Sequence, residues 1–270
     1  MAEFHTVFKR YEKKYILKGD MYRKVRERLD SYMEVDEYGL STICNIYYDT
    51  PQYDLISRSI EKPAYKEKLR LRSYGVPKED DIVFLEMKKK YDGVVYKRRI
   101  PLKLKDAKES IRQRKIIGAT GQIAKELEYV LQRYKPTEGT YLAYDRIAMY
   151  GKEDPELRVT FDFNIRSRQT DMDLSAGDEG ECILPEDYVV MEVKVGDAYP
   201  FWVVNMLEEI GIYPASFSKY GNVYTRVILP QMIEKRKKRL QVNPVAQKET
   251  SHRIFAGNSH KKQVKENAYV

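Results

Sequence analysis

Three cations stand on alternate residues in Lys68-Leu69-Arg70-Leu71-Arg72, and strand geometry would turn all three to one face. Glu86-Met87-Lys88 and Glu192-Val193-Lys194 each put a carboxylate and a lysine on one side, and Arg10, Glu12 and Lys14 share one parity near the start. From Arg158 to Arg168 every even-numbered residue is polar or charged, while the odd ones are apolar through Ile165. Guanidinium forks match phosphate oxygens two at a time, and lysines add compact charges. Carboxylates among them suit Mg2+ or Mn2+, which bridges carboxylate and phosphate oxygens. The chemistry open to these residues is binding of a polyphosphate or nucleoside triphosphate, and phosphoryl transfer.

Other chemistries lack their residues. The only histidines, His5, His252 and His260, lie near the termini, which argues against a His-dependent triad or a His-rich metal centre. Cys44 and Cys182 stand far apart in dissimilar contexts, so neither a disulfide framework nor a Cys-based zinc site is expected. No P-loop, GxGxxG or HExxH occurs. The net charge of +8 looks like a nucleic-acid signal until it is located: residues 231–270 hold ten Lys/Arg against three Asp/Glu, leaving the body almost neutral. In the body, the placement of charges carries the information.

The elements that must position these residues are mostly strands. β-branched and aromatic alternation predicts strands near 7–17, 42–49, 65–74, 82–91, 94–102, 140–150, 157–168 and 188–196, with Asp92-Gly93 as a two-residue hairpin turn. Helical patterns fall near 20–34, 52–61, 105–115, 119–134, 199–211 and 218–239, with Asp20, Thr50 and Ser218 as N-caps and Gly211 as a C-cap. The acidic stretch Asp171–Asp187 reads as a surface loop, and its aspartates do not fit an EF-hand register. From pattern alone, an antiparallel sheet with one dry and one solvated face accounts for the alternation. The recurrence of Arg and Lys on five or more strands, with helices to cover the apolar faces, favours an α+β fold. In it an eight-stranded antiparallel barrel encloses a wet, charged lumen. One domain, 1–230, precedes a basic helix end and poorly ordered tail, 231–270.

Arg10-Tyr11-Glu12-Lys13-Lys14-Tyr15, Ile46-Tyr47-Tyr48-Asp49-Thr50-Pro51, Lys68-Leu69-Arg70-Leu71-Arg72, Phe84-Leu85-Glu86-Met87-Lys88, Tyr144-Asp145-Arg146, Met191-Glu192-Val193-Lys194 and Ser218-Lys219-Tyr220 occur in that order. Together they resemble the VTC-type catalytic domain over about residues 5–230. That domain is the polyphosphate polymerase module of vacuolar transporter chaperones, a branch of the CYTH/triphosphate tunnel metalloenzymes. The resemblance implies an eight-stranded tunnel with a charged inner wall, and transfer of the ATP γ-phosphate to a growing polyphosphate chain with Mn2+ or Mg2+. Carried over by motif, Lys14, Arg70, Arg72, Arg146 and Lys219 would act on the reacting phosphates. Arg10, Lys68, Lys88, Lys97, Arg158 and Lys194 would hold further phosphates, and Glu192, with Glu12 and Glu86, would bind the metal. Lys97 depends on register, because Arg98 and Arg99 adjoin it. Each Glu–Lys pair could equally be a same-face ion pair that only stabilises the sheet. Tyr15, Tyr47 and Tyr220 read as packing residues.

Where the family often carries a lysine just before the Ser-Lys pair, this chain has Ala215-Ser216-Phe217. The SPX and membrane-spanning regions of the fungal members have no counterpart, and no signal peptide or apolar run of membrane-spanning length is read. A free-standing, cytoplasmic, bacterial module is therefore expected, acting on ATP or triphosphate and polyphosphate, with no specific nucleic-acid partner and a basic tail able to contact polyanions. The alternatives are a triphosphatase or polyphosphate hydrolase on the same scaffold, and a non-catalytic polyanion-binding protein.

Overall fold

The computed structural model describes residues 11–92 and 94–242; Arg10, the three histidines, Gly93 and the tail from 243 onward lie outside the described residues. Strands β1 (Tyr11–Lys18), β2 (Met33–Asp49), β3 (Tyr65–Tyr74), β4 (Ile82–Tyr91), β5 (Val94–Lys103), β6 (Thr137–Gly151), β7 (Arg158–Arg168), β8 (Glu181–Cys182) and β9 (Tyr188–Val195) form one sheet. Its order is β1-β9-β7-β6-β2-β3-β4-β5, with β8 beside β7, and every pairing is antiparallel. The run β2 to β5 is a meander. Then β6 returns to β2, and β1 joins β9 from the other end of the chain. Helices α1 (Gly19–Leu29), α2 (Asp54–Ile60), α3 (Leu104–Gln113), α4 (Gln122–Tyr134), α5 (Phe201–Ile210) and α6 (Lys219–Val223) interrupt or follow the strands. These elements make one compact unit ending at Val223. A second begins at Tyr224 with a π-helical turn, Tyr224–Ile228, and α7 (Leu229–Val242), which carries the exposed basic cluster Lys235–Arg239.

Period-two alternation decides which face of the sheet is dry. Cys44, Ile46, Leu69, Leu71, Leu85, Met87 and Ile100 share a core with Leu104 and Ala107 of α3 and with Leu127 and Leu131 of α4. Tyr15, Leu17, Val159, Phe161, Met191 and Val193 share a second with Val25 and Leu29 of α1 and with Val203, Met206 and Leu207 of α5. Burying each large apolar side chain stabilises the fold by about 1.5–3 kcal/mol, so the helices settle on this face and the residues between are left to the other.

That other face curls, but the expected closed barrel is not formed. Among the described residues β1 and β5, the two ends of the strand order, share no ladder. Alternation specifies a curl, whereas closure also needs two edges able to exchange hydrogen bonds. On β5, Pro101 has no N–H to give. On β1, the Lys14 carbonyl accepts the Ala215 N–H at 2.7 Å, so the segment before α6 lies along this edge. The curl is nonetheless tight enough for Lys88 of β4 to act electrostatically on Glu12 and Lys14 of β1 and Glu192 of β9.

A second expectation fails at β7. One unbroken polar face was expected from Arg158 to Arg168, but the β6–β7 register shifts between Ala143 and Asp145, and Asn164 takes a left-handed φ of 45°. This bulge turns the later even-numbered residues to the outer face. There Arg166 pairs with Asp145 at 3.3 Å and also with Asp178. Arg168 donates to the carbonyls of Asp171, Asp173, Gly177 and Glu179 and stacks over Tyr141, its guanidinium carbon 3.5 Å from the ring centroid. Both arginines strap down the acidic loop.

Smaller departures have local causes. Strand β2 starts at Met33 rather than 42, because a register irregularity between Val35 and Leu40 takes up the strand-poor stretch Asp36–Gly39. Tyr91 pairs with Val94 and Asp92 takes a left-handed φ of 42°, while Gly93, the other residue of the expected turn, lies outside the described residues. Of the expected caps, Ser218 accepts the Gly221 N–H at 3.1 Å and Gly211 ends α5 at φ 72°, whereas Thr50 accepts the Asp54 N–H at 2.9 Å without being the N-cap of α2, which is Tyr53. Asp20 lies inside α1, whose N-cap is Lys18.

Candidate active site

Two charge clusters face each other across the concave side. In the first, Arg146 of β6 grips Asp162 of β7 with both arms, Nε to Oδ1 at 2.6 Å and Nη2 to Oδ2 at 2.8 Å. Lys219 also pairs with Asp162, lies 3.7 Å from Glu192, and sits 4.5 Å above the Tyr144 ring. Lys14 of β1 pairs with Glu192 of β9 and, at 2.8 Å, with Glu12, while Lys194 approaches Glu192 at 3.3 Å. Burial alone would raise these carboxyls. Lys194, Lys219 and Lys14 nevertheless hold Glu192 well below the usual carboxylate range, and Lys219 and Arg146 lower Asp162.

The second cluster is built by β3, β4 and β5. Glu86, 1% exposed, accepts Arg70 Nε at 2.7 Å and meets Lys97 at 2.8 Å and Arg99 at 3.3 Å. Against the cost of burial, Arg70, Arg72 and Lys97 hold its carboxyl well below the usual range. Arg72 donates to Asn45 Oδ1 and to the Tyr144 hydroxyl, both at 2.9 Å. Arg70 reaches the Tyr47 hydroxyl at 3.3 Å. Burial would raise that phenol, but Arg70, Lys68 and Arg72 outweigh it and bring it down to about 8. Burial, opposed by Tyr47, lowers Lys68 to about 8; burial, opposed by Glu86, lowers Lys97 to about 8. The face is wet: Lys88 is exposed, and the Lys97 side chain is 45% exposed despite its inward register.

The segment Ser218-Lys219-Tyr220 bridges the clusters. Ser218 Oγ accepts Lys68 Nζ at 2.9 Å from one side while Lys219 pairs with Asp162 on the other. Tyr220 fixes the segment from behind: its ring stacks on Tyr47 at 4.8 Å, and its hydroxyl donates to Asp49 Oδ2 at 3.0 Å. Asp49, fully buried, also accepts the backbone N–H groups of Thr50, Leu55 and Ile56 at 2.8–3.0 Å, tying the start of α2 to the same post. Gly139 leaves the room for this, since a Cβ there would lie 2.6 Å from the Tyr220 hydroxyl.

Of the residues expected from sequence, Lys14, Lys68, Arg70, Arg72, Lys88, Lys97, Arg146, Lys194 and Lys219, with Glu12, Glu86 and Glu192, converge on this face. Arg158, exposed and opposite Lys194, stands at its margin. The β4–β5 register settles Lys97, which faces inward with Arg99, while Arg98 turns outward to Glu126 at 2.8 Å. Sequence reasoning passed over Asp162, Arg99 and the Tyr47 hydroxyl. Asp162 was marked only by its even position, and Arg99 only by standing two residues beyond Lys97. Tyr15 is core, as expected, whereas Tyr47 and Tyr220 add polar contacts to their packing.

The carboxylates do not converge into one metal set. Among the described residues no three His, Cys, Asp or Glu side chains gather as ligands. Glu192 and Glu12, joined through Lys14, are the carboxylates that would offer oxygen donors to a divalent cation here. Glu86, surrounded by Arg70, Lys97 and Arg99, does not.

The sequence of residues 9–228 matches the family model described as the VTC domain. A Schizosaccharomyces pombe protein, vacuolar transporter chaperone complex subunit 4, is 27% identical over 214 residues, covering 62% of this chain and 29% of that protein. Thus the chain spans less than a third of that relative. Among solved structures, a candidate adenylate cyclase from Bacillus halodurans superposes with a TM-score of 0.51 at 15% identity, covering 79% of this chain and 96% of that one. This last likeness concerns the fold.

Proposed function

The chain belongs to the VTC domain family, and from that premise we propose that it is a polyphosphate polymerase that transfers the γ-phosphate of ATP to the end of a polyphosphate chain held on the concave face. One observation carries the reading: cations from β1, β3, β4, β5, β6, β9 and α6 converge on one solvated face and outnumber its carboxylates Glu12, Glu86, Asp162 and Glu192. The excess positive charge suits a polyanion.

In the proposed reaction a terminal phosphate oxygen of the chain attacks the γ-phosphorus, the bond to the β–γ bridging oxygen breaks, and ADP leaves. The nucleophile is already anionic, so no general base is required, in keeping with a face that carries no histidine among the described residues. Catalysis is then positioning and charge stabilisation. Lys14, Arg146 and Lys219 hold the reacting phosphoryl group; Lys68, Arg70, Arg72, Lys88 and Lys97 align the phosphates on either side. Asp162 keeps Arg146 and Lys219 extended toward the substrate. A divalent cation, Mn2+ or Mg2+, held by Glu192 and Glu12 would neutralise charge on the phosphate oxygens.

Phosphorus NMR of the protein with ATP and Mn2+ tests the reading, because one spectrum separates orthophosphate, ADP and internal polymer phosphates. Polymer signals in wild type, lost in Arg70→Ala and Glu192→Gln, are expected. Orthophosphate without polymer would make the protein a hydrolase, with water as acceptor on this wet face. An unchanged ATP spectrum with retained polyanion binding would make it a binding protein.

A further inference from the structure

The two ends of the concave face differ in charge. Cross-strand pairs on β3 and β4 run Arg72↔Phe84, Arg70↔Glu86, Lys68↔Lys88, Lys66↔Lys90. Towards the β3–β4 connection, aromatic rings close the series: Tyr74 meets Phe84 edge-on at 5.8 Å, and Arg99 lies 3.4 Å over Phe84. Towards the β4–β5 turn, lysine stands opposite lysine twice in succession, and β5 adds Lys97 opposite Lys88. Like charges placed directly opposite destabilise a sheet.

Inside the face this imbalance is offset, since Glu12 and Glu192 act on Lys88 and Glu86 meets Lys97. At the margin it is not. Burial and then the charges of Lys90 and Lys62 lower Lys66, and no carboxylate opposes them. Among the described residues none of Lys62, Lys66 and Lys90 pairs with an acid; the nearby Glu67 turns to the outer face, where it meets Tyr65, Tyr134 and Lys89. Lys62 is exposed, and Lys66 and Lys90 are partly so.

We infer that Lys62, Lys66 and Lys90 form a second binding site for inorganic polyphosphate, a track on which the chain leaves the concave face at the end nearest the β4–β5 turn. The inference rests on the polymerase reading and gives it a direction. Phosphates that react lie where carboxylates interleave with cations. Phosphates already joined, each carrying a charge and needing no metal, continue over a strip that offers only ammonium groups. Such a strip has little use for a triphosphate, which the inner cations suffice to hold, so the site should discriminate by chain length.

The test compares wild type with the double variant Lys66→Gln, Lys90→Gln, measuring binding of tripolyphosphate and of long-chain polyphosphate by calorimetry over a range of salt. Affinity of the variant for the long chain should fall about tenfold at low salt, and its log K against log salt line should flatten by about 1.4, two lost contacts at ~0.7 each. Tripolyphosphate affinity should be unchanged, which also shows that the variant is folded. Equal losses for both ligands, or no loss for either, would overturn the track. Failure of wild type to bind either ligand would overturn the polymerase reading, and the track with it.

Discussion

At the scale of single residues, the site is a set of charges held apart by other charges. Glu86 is the clearest case, since one buried carboxylate keeps Arg70, Lys97 and Arg99 from repelling one another. Glu86→Gln should destabilise the protein by about 2–3 kcal/mol, less than a fully dry pair would because water screens Lys97, and lower the melting temperature by roughly 5–10 °C. Added polyphosphate should restore much of that loss, a result that differential scanning calorimetry with and without the polymer reads directly. The pH dependence of binding follows from three neighbours. Lys68 and Lys97 carry charge below about 8 and lose it above, while Tyr47 is neutral below about 8 and anionic above. All three changes make the face less positive, so tripolyphosphate affinity at constant ionic strength should fall as pH rises through 8. Lys68→Arg should soften the fall. Most of these residues were legible because Lys68-Leu69-Arg70-Leu71-Arg72 allows one facing only. The triplet Lys97-Arg98-Arg99 was not, since its facing depends on a hairpin register fixed by Tyr91 and Val94.

At the scale of elements, two irregularities aim the site. The bulge at Asn164 lets β7 contribute Asp162 to the inner face and Arg166 and Arg168 to the outer one. An unbroken strand would have faced all three inward. Sequence alternation could not reveal this, because the polar–apolar period runs through the bulge unchanged while the backbone changes phase. Arg168→Ala should release the loop it holds by four carbonyls; limited proteolysis should then cut within 171–187 with triphosphate binding intact. The second irregularity is the β2–β6 register shift beside Gly139, which admits the Tyr220 hydroxyl. Gly139→Ala should push Tyr220 off Asp49 and carry Lys219 from Asp162. The expected outcome is a loss of turnover larger than the loss of thermal stability; an equal fall in both would assign Gly139 a packing role only. The eight main strands were readable to within a few residues except at the start of β2, because long periodic segments carry their own signal; the helices were too, except that the one expected over 20–34 ends at Leu29 and the one over 218–239 is interrupted by the π-helical turn Tyr224–Ile228. Whether the sheet closed was not readable, since closure depends on backbone groups that alternation does not encode.

At the scale of the whole molecule, a solvated basic face inside an otherwise well-buried sheet predicts that the ligand is part of the stability. Polyphosphate at about 100 times its dissociation constant should add about 2.7 kcal/mol, seen as a rise in melting temperature that tracks ligand concentration. The strand order has a further consequence, for the timing of assembly on the ribosome. Among the described residues β1 has one strand partner, β9, and Lys14 meets Glu192 across 178 positions of chain. At about 5–20 residues per second the partner emerges roughly 10–35 seconds later, while β2 to β5 can already have zipped as neighbours. β1, made well before β9, is thus sealed late, and for that interval its apolar residues Tyr15 and Leu17 are a ready template for pairing with the wrong chain.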